Sequence, residues 1–211
     1  YYIYGEKFFK RLNYNWSQFS SRIEIIQKII NQNNFKKYLE IGCDKDENFS
    51  KIRVENKVGV DPFRGGTIRS TSDEFFKSNN DKFDIIFLDG LHTYNQTIKD
   101  INNSLEHLNS NGIIIIHDCL PKKIWNQIVP RMYGHWNGDV WKAIVESRTL
   151  SNIDTYTCVA DHGLGVIFKR KNRNLLNLNI KNFEKLKFSE YYKNHKEFMN
   201  PISHIKLFDI F

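Results

Sequence analysis

Four apolar runs in this chain end in residues able to hold or move charge. Residues 38–41 run into Gly42-Cys43-Asp44, 57–60 into Asp61, 83–88 into Asp89-Gly90, and 113–116 into His117-Asp118. One polar residue after one strand is usually a turn former. Four strands with the same habit point to one site, because a parallel sheet places all its carboxyl ends on one rim. The chemistry open to such a rim is proton transfer and cation binding. His92 and His117 carry imidazoles, which titrate near neutral pH and can act as bases, His92 being the first choice. Asp89, His117 and Asp118 together offer oxygen ligands and one imidazole, a donor set that suits Mg²⁺ or Mn²⁺. Plainer readings stand beside these. His92 can be a helix N-terminal residue satisfied by backbone, and His117-Asp118 an ion pair closing the sheet edge.

The first run also looks built to hold a nucleoside. Gly42 lets the backbone turn with no Cβ in the way. Asp61 lies 19 residues later, at the end of the second run. A carboxylate at that place can accept hydrogen bonds from both ribose hydroxyls; the alternative is a turn aspartate before Pro62. Glu40 sits inside an apolar run, where a carboxylate is costly unless something pairs with it.

The elements that position these groups read as alternating strands and helices. Ser17 or Ser20 caps a helix reaching about Asn31, with Phe19, Ile23, Ile26 and Ile30 at helical spacing. Strands are expected at 37–41, 57–60, 67–70, 83–88 and 113–116. A short helix is expected at 46–52, a second after Thr71 or Ser72, and a third over 93–108, stopped at Asn111-Gly112. Residues 121–138 read as an aromatic loop, either a lid over an acceptor or a seal on the core, and Asp139 caps a helix to about Thr149. Two last strands, 153–159 and 165–169, are joined by Ala160-Asp161-His162-Gly163. That link suits an antiparallel hairpin, since a parallel pair would need a crossover. The expected architecture is α/β: a mostly parallel seven-stranded sheet with a C-terminal antiparallel hairpin and helices on both faces. Residues 1–36 form an aromatic segment and helix, 37–170 the core, and 171–211 a basic helical extension of the same domain.

At this point the residues carry a resemblance. Asp89-Gly90-Leu91-His92-Thr93-Tyr94 and Gly112-Ile113-Ile114-Ile115-Ile116-His117-Asp118 resemble the paired Asp-Gly-x-His-x-Tyr and His-Asp motifs of class I S-adenosylmethionine-dependent methyltransferases. Within that group the chain is similar to small sugar and natural-product O-methyltransferases. Gly138-Asp139-Val140-Trp141-Lys142-Ala143 and Gly163-Leu164-Gly165-Val166 belong to the same likeness, which covers about two thirds of the chain, from Tyr38 to about Lys169. The resemblance implies a Rossmann-like fold and S-adenosylmethionine as cofactor. Glu40 and Gly42 would then line its methionine end, Asp61 would hold the ribose, Ser72 and Asp73 would lie near adenine, and Asp89 near the reacting centre. It implies O-methylation of a hydroxyl on a sugar, glycan precursor or small metabolite, and it supports a metal at the two strand ends. The family's glycine-rich turn usually has a second or third glycine, whereas Gly42 here is followed by Cys43-Asp44-Lys45-Asp46-Glu47.

Composition sets outer bounds. The 211 residues suffice for one domain, and 40% hydrophobic with 26% charged residues describes a soluble globular chain. No apolar run approaches bilayer length, and no signal peptide opens the chain. The first residue is not methionine, which places the natural N-terminus upstream as an expectation. Cys43, Cys119 and Cys158 are odd in number without C-x-x-C spacing, which fits free thiols in the cytoplasm. The net charge of +7 is concentrated from Lys169 onward, where ten Lys/Arg face four acids. That tail reads as a solvated basic face, with an anionic partner (a phosphorylated glycan, a lipid head group or nucleic acid) as the alternative. Nucleic acid is not the expected partner. The aromatic N-terminal segment suggests packing on the body or on a second copy. Two other function classes stay open: a nicotinamide-dependent oxidoreductase, which would want Gly-x-Gly-x-x-Gly, and a non-catalytic module that binds polyanions through the tail.

Overall fold

The computed structural model describes residues 12–132 and 134–211. Seven strands form one sheet: β1 (Lys37–Ile41), β2 (Asn56–Val60), β3 (Phe83–Leu88), β4 (Leu108–Ile116), β5 (Asp154–Cys158), β6 (Leu164–Phe168) and β7 (Pro201–Ile202), in the order β2-β1-β3-β4-β6-β5-β7. Only β6 runs against the others. The helices are α1 (Arg22–Asn33), α2 (Ser72–Ser78), α3 (Tyr94–Glu106), α4 (Ile124–Gln127), α5 (Val140–Ser147), α6 (Phe188–Met199) and α7 (His204–Phe208).

The unbroken apolar runs are explained by cover on both faces of the sheet. Leu39, Ile86 and Ile114 pack with α2, α3, α5 and α6. Their neighbours Tyr38, Ile85 and Ile113 pack with α1 and Leu207 of α7. Strand side chains alternate in direction, so a strand buried on both sides needs apolar residues at every position. Each fully buried isoleucine in 113–116 contributes about 1.5–3 kcal/mol of burial.

Several expected elements differ. The α1 cap is Ser21, because Glu24 lies three residues on and completes a reciprocal capping box. Residues 46–52 form successive turns rather than a helix; Asp46 at φ 62° is incompatible with a helical start. The expected strand at 67–70 reduces to one bridge, Val60 to Ile68. The seventh strand comes instead from the tail, where β7 pairs with β5. Asn111-Gly112 does not end a helix; it lies inside β4, at an irregularity in the pairing with β3. Part of the basic tail also serves the fold: Arg170 pairs with the buried Asp154. Residues 12–16 pack on α6, with the Leu12 N–H donating to the Tyr192 hydroxyl and Tyr14 hydrogen-bonded to His195. The aromatic residues before Leu12 lie outside the described residues.

Candidate active site

A cleft of about 500 Å³ opens where β1, β2 and β3 end. Gly42, Asp61, Ser72, Asp73 and Asp89, five of the residues expected at a cofactor, all line it. Gly42 takes φ 88°, and a Cβ there would lie 2.2 Å from the Asp89 carbonyl oxygen. The missing glycines of the turn are replaced by aspartates: Asp44 and Asp46 hold φ 45° and 62°, a conformation Asp tolerates better than most residues. Ser72 and Asp73 stand at the far wall, where both accept from the Gln96 amide. Two apolar side chains, Phe63 at 89% and Leu91 at 61% exposure, border the opening.

Two residues expected at the cofactor, Asp61 and Glu40, are engaged within the protein itself. Asp61 does border the cleft, yet its carboxylate already accepts the N–H groups of Asp44, Phe63 and Arg64. Burial would raise its pKa, but those N–H groups and Arg69 hold it below the usual carboxylate range. The turn-forming reading of Asp61 is therefore what the structure displays, and a ribose contact has to share the carboxylate with it. Glu40 is not among the residues lining the cleft. Its buried carboxyl is paired with the Tyr38 hydroxyl and the Asn48 amide, and burial lifts its pKa to about 7 against their opposing pull.

Beyond Asp89 lies a dense charge cluster. Asp89 Oδ1 is 3.2 Å from His92 Nε2 and 3.0 Å from His117 Nδ1. His92 Nδ1 is 3.2 Å from Asp118 Oδ2, and His117 Nε2 is 3.5 Å from Asp161 Oδ1. Arg22 closes the far side through its backbone N–H and guanidinium, both donating to Asp161. His92 is placed from two directions. Gly138 at φ 64° lets the backbone press against the His92 carbonyl, where a Cβ would come within 1.7 Å. Asp139 caps α3 rather than its own helix, accepting the Tyr94 N–H at 2.6 Å. The Gly-Asp pair thus fixes the start of α3 and the short loop before it that carries His92.

The electrostatics follow from that packing. Burial would lower the His92 pKa, but Asp118 and Asp89 outweigh it and lift the group to about 10. His117 is likewise held well above 6.5 by Asp89 and Asp118, despite burial. Burial would raise Asp89, but His117 and His92 hold it well below the carboxylate range, and His117 and Arg22 do the same for Asp161. Both shifts favour the charged imidazole near neutral pH, so either ring acts as a base only after that proton is lost.

The sign of the resulting pH dependence is fixed. His92 has a folded pKa above its unfolded value, so its contribution is complete below about pH 6.5 and is lost as pH rises toward 10. Asp89 and Asp161 are depressed, so their contribution is present above about pH 4 and lost below it. With divalent ions chelated, the denaturation midpoint should fall from pH 6 to pH 9. His92→Gln should shrink that fall by roughly 1–3 kcal/mol, since each pKa unit is worth about 1.4 kcal/mol. Parallel pH profiles for the two proteins would refute the pairing.

Among the described residues, two trios bring their ligand atoms within 4.8 Å of one another: Asp89, His92 and Asp118, and Asp118, His135 and His162. The metal trio expected from sequence had His117 in place of His92; His117 is in neither group, though its Nδ1 lies 3.0 Å from Asp89 and 3.6 Å from Asp118, and its Nε2 faces Asp161. The first trio fits a hard divalent cation, with two carboxylates, one imidazole and a buried His92 Nδ1 that lacks an aligned hydrogen-bond partner. Arg22, His135, Asn137, Asp161 and His162 were not anticipated. For Asp161 and His162 a signal existed: a hairpin link after a strand that ends on the functional rim must itself lie on that rim.

Residues 24–119 match the family model of a methyltransferase domain. No curated protein matches the chain. The fold is similar to that of the SAH-bound methyltransferase PaMTH1 of Podospora anserina, at 17% identity and TM-score 0.54, covering 80% of this chain and 93% of that one. It is also similar to an O-methyltransferase from Bacillus cereus in complex with SAH, at 11% identity and TM-score 0.52, covering 79% and 87%. A third likeness is to TomG from Streptomyces achromogenes, an O-methyltransferase involved in tomaymycin synthesis, solved with SAM, at 9% identity and TM-score 0.50, covering 71% and 79%.

Proposed function

We propose that this chain, which carries a methyltransferase domain on the class I fold, moves the methyl group of S-adenosylmethionine to a hydroxyl of a sugar, glycan precursor or small metabolite. One observation carries the reading. Asp89 lines the nucleoside cleft and also touches His92 and His117, so a donor in the cleft and a proton acceptor meet at one side chain.

The sulfonium methyl is already activated and needs alignment and shelter from water. In this reading Gly42 and Asp61 seat the donor, Ser72 and Asp73 border its adenine, and Phe63 and Leu91 cover it. A sulfonium beside Asp89 competes for that carboxylate and lowers the proton affinity of His92. His92, once it has released its own proton to solvent, then takes the acceptor's proton, with Asp118 orienting the ring, while His117 stays locked between Asp89 and Asp161. A divalent cation held by Asp89, His92 and Asp118 would acidify the acceptor hydroxyl. A pocket of about 250 Å³ beside the cluster, lined by Trp16, Trp125, Lys122, Lys123, His135 and His162, suits the acceptor. Indole faces stack on sugar rings, and the lysines favour an acceptor that carries negative charge.

Calorimetry with S-adenosylhomocysteine and NAD separates methyl transfer from the nicotinamide alternative. Binding of the first alone supports the reading, and NAD binding alone would end it. Phe63→Ala, at an exposed position with no core role, should weaken S-adenosylhomocysteine by roughly tenfold, of the size expected for one buried aromatic contact. Unchanged affinity would remove Phe63 from the donor site.

A further inference from the structure

We propose that Asp118 is shared between two cation sites, and that the second, formed by Asp118, His135 and His162, takes a borderline transition ion such as Zn²⁺. The two oxygens of Asp118 face different ways. Oδ2 lies 3.2 Å from His92 and 3.6 Å from His117. Oδ1 lies 3.7 Å from His135 Nε2 and accepts from the Asn137 amide at 2.7 Å. The residue is 3% exposed and holds φ 61°, a left-handed conformation that costs a non-glycine residue on the order of 1 kcal/mol. His162 holds φ 63° on the hairpin link. Two strained residues thus turn their side chains toward the same point.

The rings of His135 and His162 stack with centroids 3.9 Å apart. What points to an ion is that ligand atoms of both rings and of the buried Asp118 carboxylate lie within 4.8 Å of one another. Two imidazoles and one carboxylate match a zinc site with three protein ligands and an open position. The other trio is richer in oxygen and suits Mg²⁺ or Mn²⁺, so the two sites differ in the ion they prefer. Supporting contacts resemble those that orient metal ligands: Asn137 on Asp118, and the Trp16 ring 5.3 Å from His162. His135 and His162 also line the 250 Å³ pocket, so the open position faces a ligand-sized space.

The test reads metal rather than turnover, so its failure is separable from failure of the methyl-transfer reading. Metal-stripped protein is titrated with Zn²⁺ in excess Mg²⁺ by calorimetry, and with Co²⁺ by visible absorbance. One tight equivalent of Zn²⁺ is expected. His135→Ala and His162→Asn should each weaken it by about 100-fold, the upper range for disturbing a metal's surroundings. Asp89→Asn should leave it unchanged, because Asp89 belongs only to the other trio. His135 is largely exposed, and Asn accepts positive φ, so both histidine variants keep the fold. Absence of Zn²⁺ binding, or histidine variants that bind as tightly as the parent, would overturn the second site. So would loss of Zn²⁺ in Asp89→Asn alone.

Discussion

Asp118→Asn should lower kcat by about 10²–10⁴-fold while leaving the Kd for S-adenosylhomocysteine within about twofold. Asparagine matches aspartate in shape and accepts the φ of 61° that this position requires. Its amide oxygen can still accept from Asn137. What disappears is the negative charge facing His92, His117 and His135. Asp118 does not line the cleft bounded by Gly42, Asp61 and Asp89, so the affinity of a nucleoside held there has no direct reason to change. A second readout needs no acceptor: the His92 pKa should fall from about 10, because one of its two carboxylate partners is gone. Turnover within tenfold of the parent, with an unmoved His92 titration, would remove Asp118 from the machinery.

The sheet was legible because its strands are buried on both faces, so hydrophobicity alone marks residues 38–41, 83–88 and 113–116. The site was legible where one chain direction puts strand ends on one rim, which brought Asp61, Asp89, His117 and Asp118 together in advance. Four features were not. The orientation of Glu40 depends on strand alternation, which sends it with Tyr38 to the face opposite Leu39 and Ile41. The protonation of His92 depends on Asp89, three residues away, and on Asp118, which α3 and β4 separate from it in sequence. The seventh strand is two residues long, too short to produce a period. His135 and His162 meet through tertiary packing, and only the second sits on a link whose position the topology dictates.

Gly42→Ala should cost about 3–5 kcal/mol of stability and abolish S-adenosylhomocysteine binding, whereas Gly90→Ala should do neither. Both glycines line the same cleft. At Gly42 two penalties combine. The φ of 88° is costly for any residue with a Cβ, and that Cβ would lie 2.2 Å from the Asp89 carbonyl oxygen and 2.7 Å from the Gly90 Cα. The obstacle is backbone, so no rotamer change relieves it. Relief requires β1 and β3 to part at their carboxyl ends, where the Asp89 N–H donates to the Ile41 carbonyl at 2.8 Å and the Gly42 N–H to the Val60 carbonyl at 2.9 Å. Moving those bonds displaces Asp89, the side chain common to the cleft and the cluster. At Gly90 the nearest atom to an added Cβ is the Ile41 Cγ2 at 3.4 Å, an ordinary contact. Thermal melts of the two variants beside calorimetry with S-adenosylhomocysteine check the contrast. A Gly42→Ala protein within about 1 kcal/mol of the parent that still binds the nucleoside would mean that the close approach of β1 to Asp89 is not what shapes the site.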